Sequence, residues 1–194
     1  MKASRMEKMV ASDADEVGRL LDAGRQVMRR CGTAERPRVI DIVAAAGLSN
    51  DAFYRHFASK DALVAAILDD GTERLVSYLA HQMGKAPDPE GAVRRWVEGV
   101  LSQAMDDEVA ATTLAVWWNA GSVGGPDRLS ASTPLGALLR PPLAALGHPR
   151  PVLHAALAAH AVVGVLADHL WARTSPAPGE IDAVASFCLG RPGA

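Results

Sequence analysis

Residues 41 to 63, DIVAAAGLSNDAFYRHFASKDAL, leave a chain little freedom, because two short apolar-periodic stretches meet at a single glycine. Val39, Ile42, Val43 and Ala46 fall at i, i+3, i+4 and i+7, which makes one side of a helix apolar. Gly47 ends that helix, since the residue just past a helix end often takes the left-handed conformation, where a Cβ is strained. Leu48 then turns back toward the core, and Ser49 is placed to accept a backbone N–H as N-cap of the next helix. Phe53 and Phe57, four apart, bury one face of that second helix. Asn50, Asp51, Ala52, Tyr54 and His56 are left toward its N-terminal and outer sides. Helix, glycine turn and second helix together form a helix-turn-helix, a unit that sets its second helix in a DNA major groove.

The flanks sharpen this expectation. Ser59, Lys60 and Asp61 open a further helix with a cap and an early acid suited to the helix dipole. That helix carries Val64, Ile67, Leu68, Gly71, Leu75, Tyr78 and Leu79 on one continuous face. Upstream, Val17, Leu20, Leu21, Gly24, Val27, Met28 and Cys31 repeat the spacing, so the motif is bracketed by amphipathic helices.

Over roughly residues 13 to 68 the chain resembles the TetR family of bacterial one-component transcriptional regulators. The resemblance lies in the AAAGLS corner at Ala44–Ser49, the FYRHF core at Phe53–Phe57 and the SKDAL helix start at Ser59–Leu63. Beyond about residue 70 only length and helical character are similar. The resemblance implies an N-terminal third that binds operator DNA as half of a homodimer, and remaining helices that dimerise and enclose an effector pocket. It implies base-edge contacts from Asn50 and Ala52, and phosphate contacts from Tyr54, His56 and Lys60, with Ser49 in the same DNA-facing set. Two positions depart from the family pattern. Pro37 and Arg38 stand where a Thr or Ser cap is usual, which removes a capping bond and leaves Arg38 to reach a phosphate. Asp51 puts an acid on the DNA-facing side, where it accepts from a cytosine N4 amine, repels phosphates, pairs with Arg55 or caps the helix. Each of these residues has a plainer alternative: Tyr54 as a core aromatic with a wet hydroxyl, His56 as a surface histidine, and Arg29, Arg30, Arg36 and Arg38 as a solvated run.

Net charge alone does not point to nucleic acid, with 20 Lys and Arg against 22 Asp and Glu in 194 residues. Divided at residue 60, however, the N-terminal part is net +3 and the remainder net −5, so the basic excess lies with the motif. Lys2, Arg5 and Lys8 suggest either a flexible arm that touches DNA or a disordered end without a role.

Few aromatics, little alternation of Val and Ile with polar residues, and an abundance of Ala, Leu, Arg and Glu in the periodic stretches predict an all-α fold. Its expected organisation is a helix-turn-helix DNA-binding head with its N-terminal arm over residues 1–58, and a larger helical effector-binding and dimerisation body over residues 59–194. Cys31 and Cys188 lie in apolar helical patterns without metal-ligand spacing and read as buried thiols of a cytoplasmic protein. The N-terminus is polar and charged, unlike a signal peptide, and Pro151 to Ala167 is short for a span and holds His154 and His160, so no membrane helix is expected.

In the body, Val93, Trp96, Val97, Val100, Leu101 and Ala104 mark a helix after Pro87 and Pro89, and another runs from Val109 to Ala120. Gly121 to Pro126 reads as a loop, and Ser132–Pro134 and Pro141–Pro142 are expected to break the following stretch into short pieces, where a lid or pocket entrance forms. Val152–Trp171 and Ile181–Leu189 are predicted as helices; small residues on the first favour close packing, either across a homodimer interface or within one chain. Trp96, Trp117, Trp118 and Trp171, with His154, are the candidates to line a pocket for a flat or apolar effector, although buried tryptophans and satisfied histidines equally suit an ordinary core. No metal site and no cofactor are predicted. The expected mechanism is a population shift, in which a ligand in the body favours one setting of the helix beginning at Ser59, with Gly71 as pivot, and changes the separation of two recognition helices.

An enzyme is not expected, since no nucleophile elbow, metal-binding helix motif or Gly-rich phosphate loop is present. The alternative from another class is a helical protein-interaction module without sequence-specific DNA binding.

Overall fold

The computed structural model of the chain describes residues 2–121 and 132–190, with side chains from Asp13 onward. Among these residues all regular structure is helical: α1 (Lys2–Cys31), α2 (Val39–Ala46), α3 (Asn50–His56), α4 (Lys60–Gly84), α5 (Pro89–Leu101), α6 (Asp107–Ala120), α7 (Ser132–Ala145), α8 (Pro151–Ala172) and α9 (Pro178–Cys188), with a short 3-10 turn at Ser102–Ala104. Two compact units result. The first holds α1 to α3, α4 as far as Asp70 and α6 from Leu114; the second holds α4 from Gly71, α5, the start of α6 and α7 to α9.

The backbone is helical from Lys2, so the N-terminal segment expected as a flexible arm belongs to α1, while the side chains of Lys2, Arg5 and Lys8 lie outside the described residues. The expected loop beyond Gly121 also lies outside them.

In the first unit the apolar periodicities converge on one core. Leu20, Val27 and Met28 of α1, Ile42 and Val43 of α2, Phe53 of α3, Phe57, Leu63, Val64 and Ile67 of α4, and Ala115 and Val116 of α6 are all buried. Full burial of a side chain such as Phe53 contributes about 1.5–3 kcal/mol. Cys31 is half-buried at the edge of this core, not enclosed as expected.

The second unit is built on α5, whose Val93, Trp96, Val97, Val100 and Leu101 are fully buried. The Trp96 Nε1–H donates to the Leu135 carbonyl of α7 at 3.1 Å, which satisfies the one polar group the indole brings inside. On α8 the inward stripe is Ala155, Ala158, Ala159, Val162, Leu166 and Leu170.

One expectation is overturned here. Pro141 and Pro142 do not break the chain into pieces but stand inside the continuous helix α7. Each proline removes an N–H, so the carbonyls of Ala137 and Leu138 lose their usual donors. The helix persists because Leu135, Leu139 and Leu143 form a buried stripe along it and Pro142 itself is buried. Pro134 sits in the first turn, where its missing N–H has no intrahelical acceptor in any case.

The corner between α2 and α3 has the expected form. Gly47 has φ 63° and ψ 37°, its N–H bonds to Ala44 O, and the Leu48 N–H bonds to Val43 O. Ser49 Oγ accepts the Ala52 N–H at 3.1 Å and caps α3. A Cβ at Gly47 would meet both the left-handed strain and the Arg19 guanidinium, 3.0 Å away. Gly47→Ala is therefore expected to destabilise the first unit by about 1–2 kcal/mol, and Ser49→Ala by about 1 kcal/mol. Urea unfolding followed by circular dichroism measures both.

Candidate nucleic-acid interface

Three elements converge on the second helix of the motif. Its inner side is Phe53, with Phe57 just past its end, and the two rings lie 5.9 Å apart. Its outer side carries Asn50, Asp51 and Tyr54, all exposed. Tyr54 is 58% exposed, with its ring set edge-on to Phe53 at 5.2 Å, so its base is anchored while its hydroxyl faces outward. Asn50 and Tyr54, four residues apart, share a face. Among the described residues Asp51 pairs with no cation; Arg55 instead reaches Glu16. Ser59 Oγ accepts the Ala62 N–H at 3.1 Å, which opens α4 with Lys60 as its first residue.

Several expected contacts are placed differently. Ala52 is 4% exposed, because position 52 of α3 turns inward beside Phe53, so its methyl does not present itself to a base edge. Arg38 does not stand free for a phosphate. As the uncapped residue before α2 it makes two bonds to the Asp41 carboxylate, at 2.8 and 3.0 Å. This pair raises the Arg38 pKa further and holds Asp41 below the usual carboxylate range. His56 is mostly covered, and its Nε2–H donates to Glu16 Oε2 at 2.8 Å.

Glu16 and Arg19 on α1 are the residues that the sequence did not single out. Arg19 donates to the Ala46 and Gly47 carbonyls at the end of α2, where orphan acceptors and the helix dipole both favour a cation. Glu16 accepts from His56 and from Arg55 at the end of α3. The His56 hydrogen bond, with the Arg55 guanidinium beside it, holds the Glu16 carboxyl below its ordinary range. The only sequence signal was the i, i+3 spacing of an acid and a base on the polar side of α1.

Within the second unit the candidate ligand residues Trp96, His154 and Trp171 have separate surroundings. Trp96 is a core residue with its N–H satisfied by α7, and His154 donates to the Cys188 carbonyl at 2.8 Å with its ring against His148, centroids 3.9 Å apart. Trp171 is 51% exposed on α8, where its position falls on the outward side of the helix. Trp117 and Trp118 belong to the other compact unit, half-buried and 42% exposed respectively. His160 is likewise engaged: its Nδ1–H donates to Ala156 O, so its Nε2 accepts from the Ser132 hydroxyl.

Residues 20–67 match the family model for bacterial regulatory proteins of the tetR family. Among solved structures, the chain is similar to a fatty acid degradation regulator, FadR, from Bacillus halodurans, at 18% identity over 90% of this chain and 95% of that one, with a TM-score of 0.65. It is also similar to the reduced form of Escherichia coli NemR, at 16% identity over 89% and 95% of the two chains (TM-score 0.65). A TetR-family transcriptional regulator from Pectobacterium atrosepticum is 21% identical over 93% and 91% (TM-score 0.64). No curated protein sequence matches. The chain is a helix-turn-helix DNA-binding transcriptional regulator. Its match to the tetR family is carried by residues 20–67.

Folding lowers the Glu16 pKa, so the α1–α3 link contributes its full stability above the unfolded-state value of ~4.3 and loses it as pH falls through the lower folded-state value. Glu16→Gln is expected to be less stable than the parent at neutral pH and to show a shallower loss of stability between about pH 5 and pH 3. Urea midpoints measured across that range check this; parallel curves for the two proteins would contradict it.

Proposed function

We propose that the chain acts in the cytoplasm as a repressor that binds a palindromic operator as a homodimer and is released by a small, largely apolar effector. Residues 1–58 form the DNA-binding head and residues 59–194 the effector-binding and dimerisation body. The observation that carries the DNA-reading part is the two-sidedness of α3: its inner side is committed to the core, and Asn50, Asp51 and Tyr54 stand exposed within one turn. Asn50 and Asp51 suit base edges. Tyr54 and Lys60 suit phosphates, which fix register and supply most of the affinity.

Homodimerisation is supported by the outer side of α8. Leu153, Leu157, His160, Gly164, Asp168 and Trp171 recur every three or four residues and are all exposed, and Phe187 of α9 is exposed as well. By length and composition this helix is apolar enough to cross a membrane, with a mean hydropathy of 1.5, yet only 28% of its most apolar stretch is buried within the chain. Its inward stripe of alanine, valine and leucine marks a core helix, and the uncovered apolar stripe is what a second copy of the same helix would cover. Among the described residues nothing lies within 4 Å of where a Cβ at Gly164 would be, which leaves room for a partner backbone. A dimer also meets the need for two recognition helices about 34–36 Å apart. Release follows if ligand binding favours one setting of α4 over another, and the exposed Gly71, where α4 passes between the units, is the weakest point of that helix.

Two experiments test this reading. In gel shifts on the DNA upstream of the protein's own coding region, Tyr54→Ala and Lys60→Ala should each weaken binding roughly five- to tenfold, and Lys60→Ala should reduce the salt slope by about one. Unchanged binding in both variants would count against the assigned face. Sedimentation of Leu157→Asp should show monomers where the parent is dimeric, with operator affinity falling at least roughly tenfold because the second half-site is no longer engaged in the same event.

A further inference from the structure

The second unit contains a cavity of about 430 Å³ between α4, α5 and the start of α9, within the size range of small-molecule sites. Tyr78 and Gln82 come from α4, and Arg95, Glu98, Gly99 and Ser102 from α5. Met105, Pro176, Pro178, Ile181 and Asp182 complete it, none of which the sequence pattern marked as pocket residues. The space owes much to Gly99: a Cβ there would lie 2.4 Å from Leu79 Cδ2 and 3.3 Å from Tyr78 Cε1, so only glycine lets α4 and α5 meet at this level without displacing those side chains.

The charges of the wall select the ligand. Asp182 already carries a cation, since Arg94 reaches it at 3.2 Å. Glu98 is exposed. Arg95 is half-buried, lines the cavity and has no carboxylate partner among the described residues. A guanidinium withdrawn from water without an anion is a cost that a bound anion removes, and its fork matches a carboxylate. The remaining lining is mainly apolar, from Tyr78, Met105, Pro176 and Ile181.

We propose that this cavity binds a small organic acid, its carboxylate on Arg95 and its apolar body against Tyr78, Met105 and Ile181. The proposal rests on the reading that the body holds an effector, and specifies where and of what class. Calorimetric titration of the full-length protein with a series of carboxylates, from benzoate through 2-naphthoate to decanoate, should yield saturable binding for at least one member, with the corresponding primary alcohol weaker. Arg95→Gln should weaken the carboxylate roughly tenfold to a hundredfold while leaving the alcohol nearly unchanged, and Met105→Trp should block both. Near-native circular dichroism and ligand-free DNA affinity in both variants show that they fold. Absence of saturable binding across the series, or binding that Arg95→Gln leaves intact, overturns the site. Operator affinity measured with the bound acid separates the two readings: binding without any change in DNA affinity upholds the site and overturns its role as effector pocket.

Discussion

The first unit depends on one polar edge of α1. Glu16 and Arg19 are three residues apart, so they share a face of that helix. Arg19 closes the C-terminal end of α2 by donating to its last carbonyls, and Glu16 ties down the C-terminal end of α3 through Arg55 and His56. The apolar core beneath determines that α2 and α3 pack on α1. The two charged side chains then determine where each helix ends against it. Since hydrophobic contact is non-directional, it would tolerate small rotations of α3 that the Glu16 contacts resist. In the proposed DNA-reading role α3 would need that restraint, because shifts of about an ångström move donors and acceptors out of hydrogen-bond range.

This restraint changes what His56 and Arg38 do. Both are polar residues near the DNA-facing side, and both are held by an acid of the same chain. A side chain already bound to a carboxylate gives up that bond to contact a phosphate, so its net gain is smaller than that of Lys60 or Tyr54. The proposed interface is thereby narrower than the motif suggests, resting on Asn50, Asp51, Tyr54 and Lys60. The bond to Asp41 also accounts for the uncapped start of α2. Asp41 stands in the first turn, where an acid suits the helix dipole, and the Arg38 pair fixes the entry of the chain in place of a Ser or Thr cap.

What was legible in the sequence follows from how local each cause is. The helix spacing of Val39 to Ala46, the glycine corner, the Ser49 cap and the Phe53–Phe57 pair are all set within a few residues of one another, and each stands as expected. Ala52 was misread because helical periodicity places a residue only to within part of a turn, and at the first turn of a short helix that margin separates core from surface. The ties from Glu16 and Arg19 span 27 to 40 positions in sequence, beyond the reach of any local pattern. Pro141 and Pro142 failed as breakers for the same reason: the α7 helix is held by packing that its own sequence does not display. The tryptophans were gathered into one supposed pocket by residue type alone, whereas the fold uses Trp96 as a core post and leaves Trp171 on an outward face.

The second unit separates two kinds of apolar surface that composition treats alike. The inward stripe of α8 is half alanine, with Val162, Leu166 and Leu170, and the outward side holds Leu153, Leu157 and Trp171 beside His160, Gly164 and Asp168. Large apolar side chains therefore stand on both sides of α8, whereas a surface helix usually keeps them on one. In the proposed homodimer the outward side would also be an inside. The cavity lined by Arg95 differs in kind, with a charged group drawn partly inward and no carboxylate partner for it among the described residues. In the proposed reading one feature takes a second copy and the other an anion, and α9 contributes to both, through Phe187 on the outer face and Ile181 and Asp182 at the cavity.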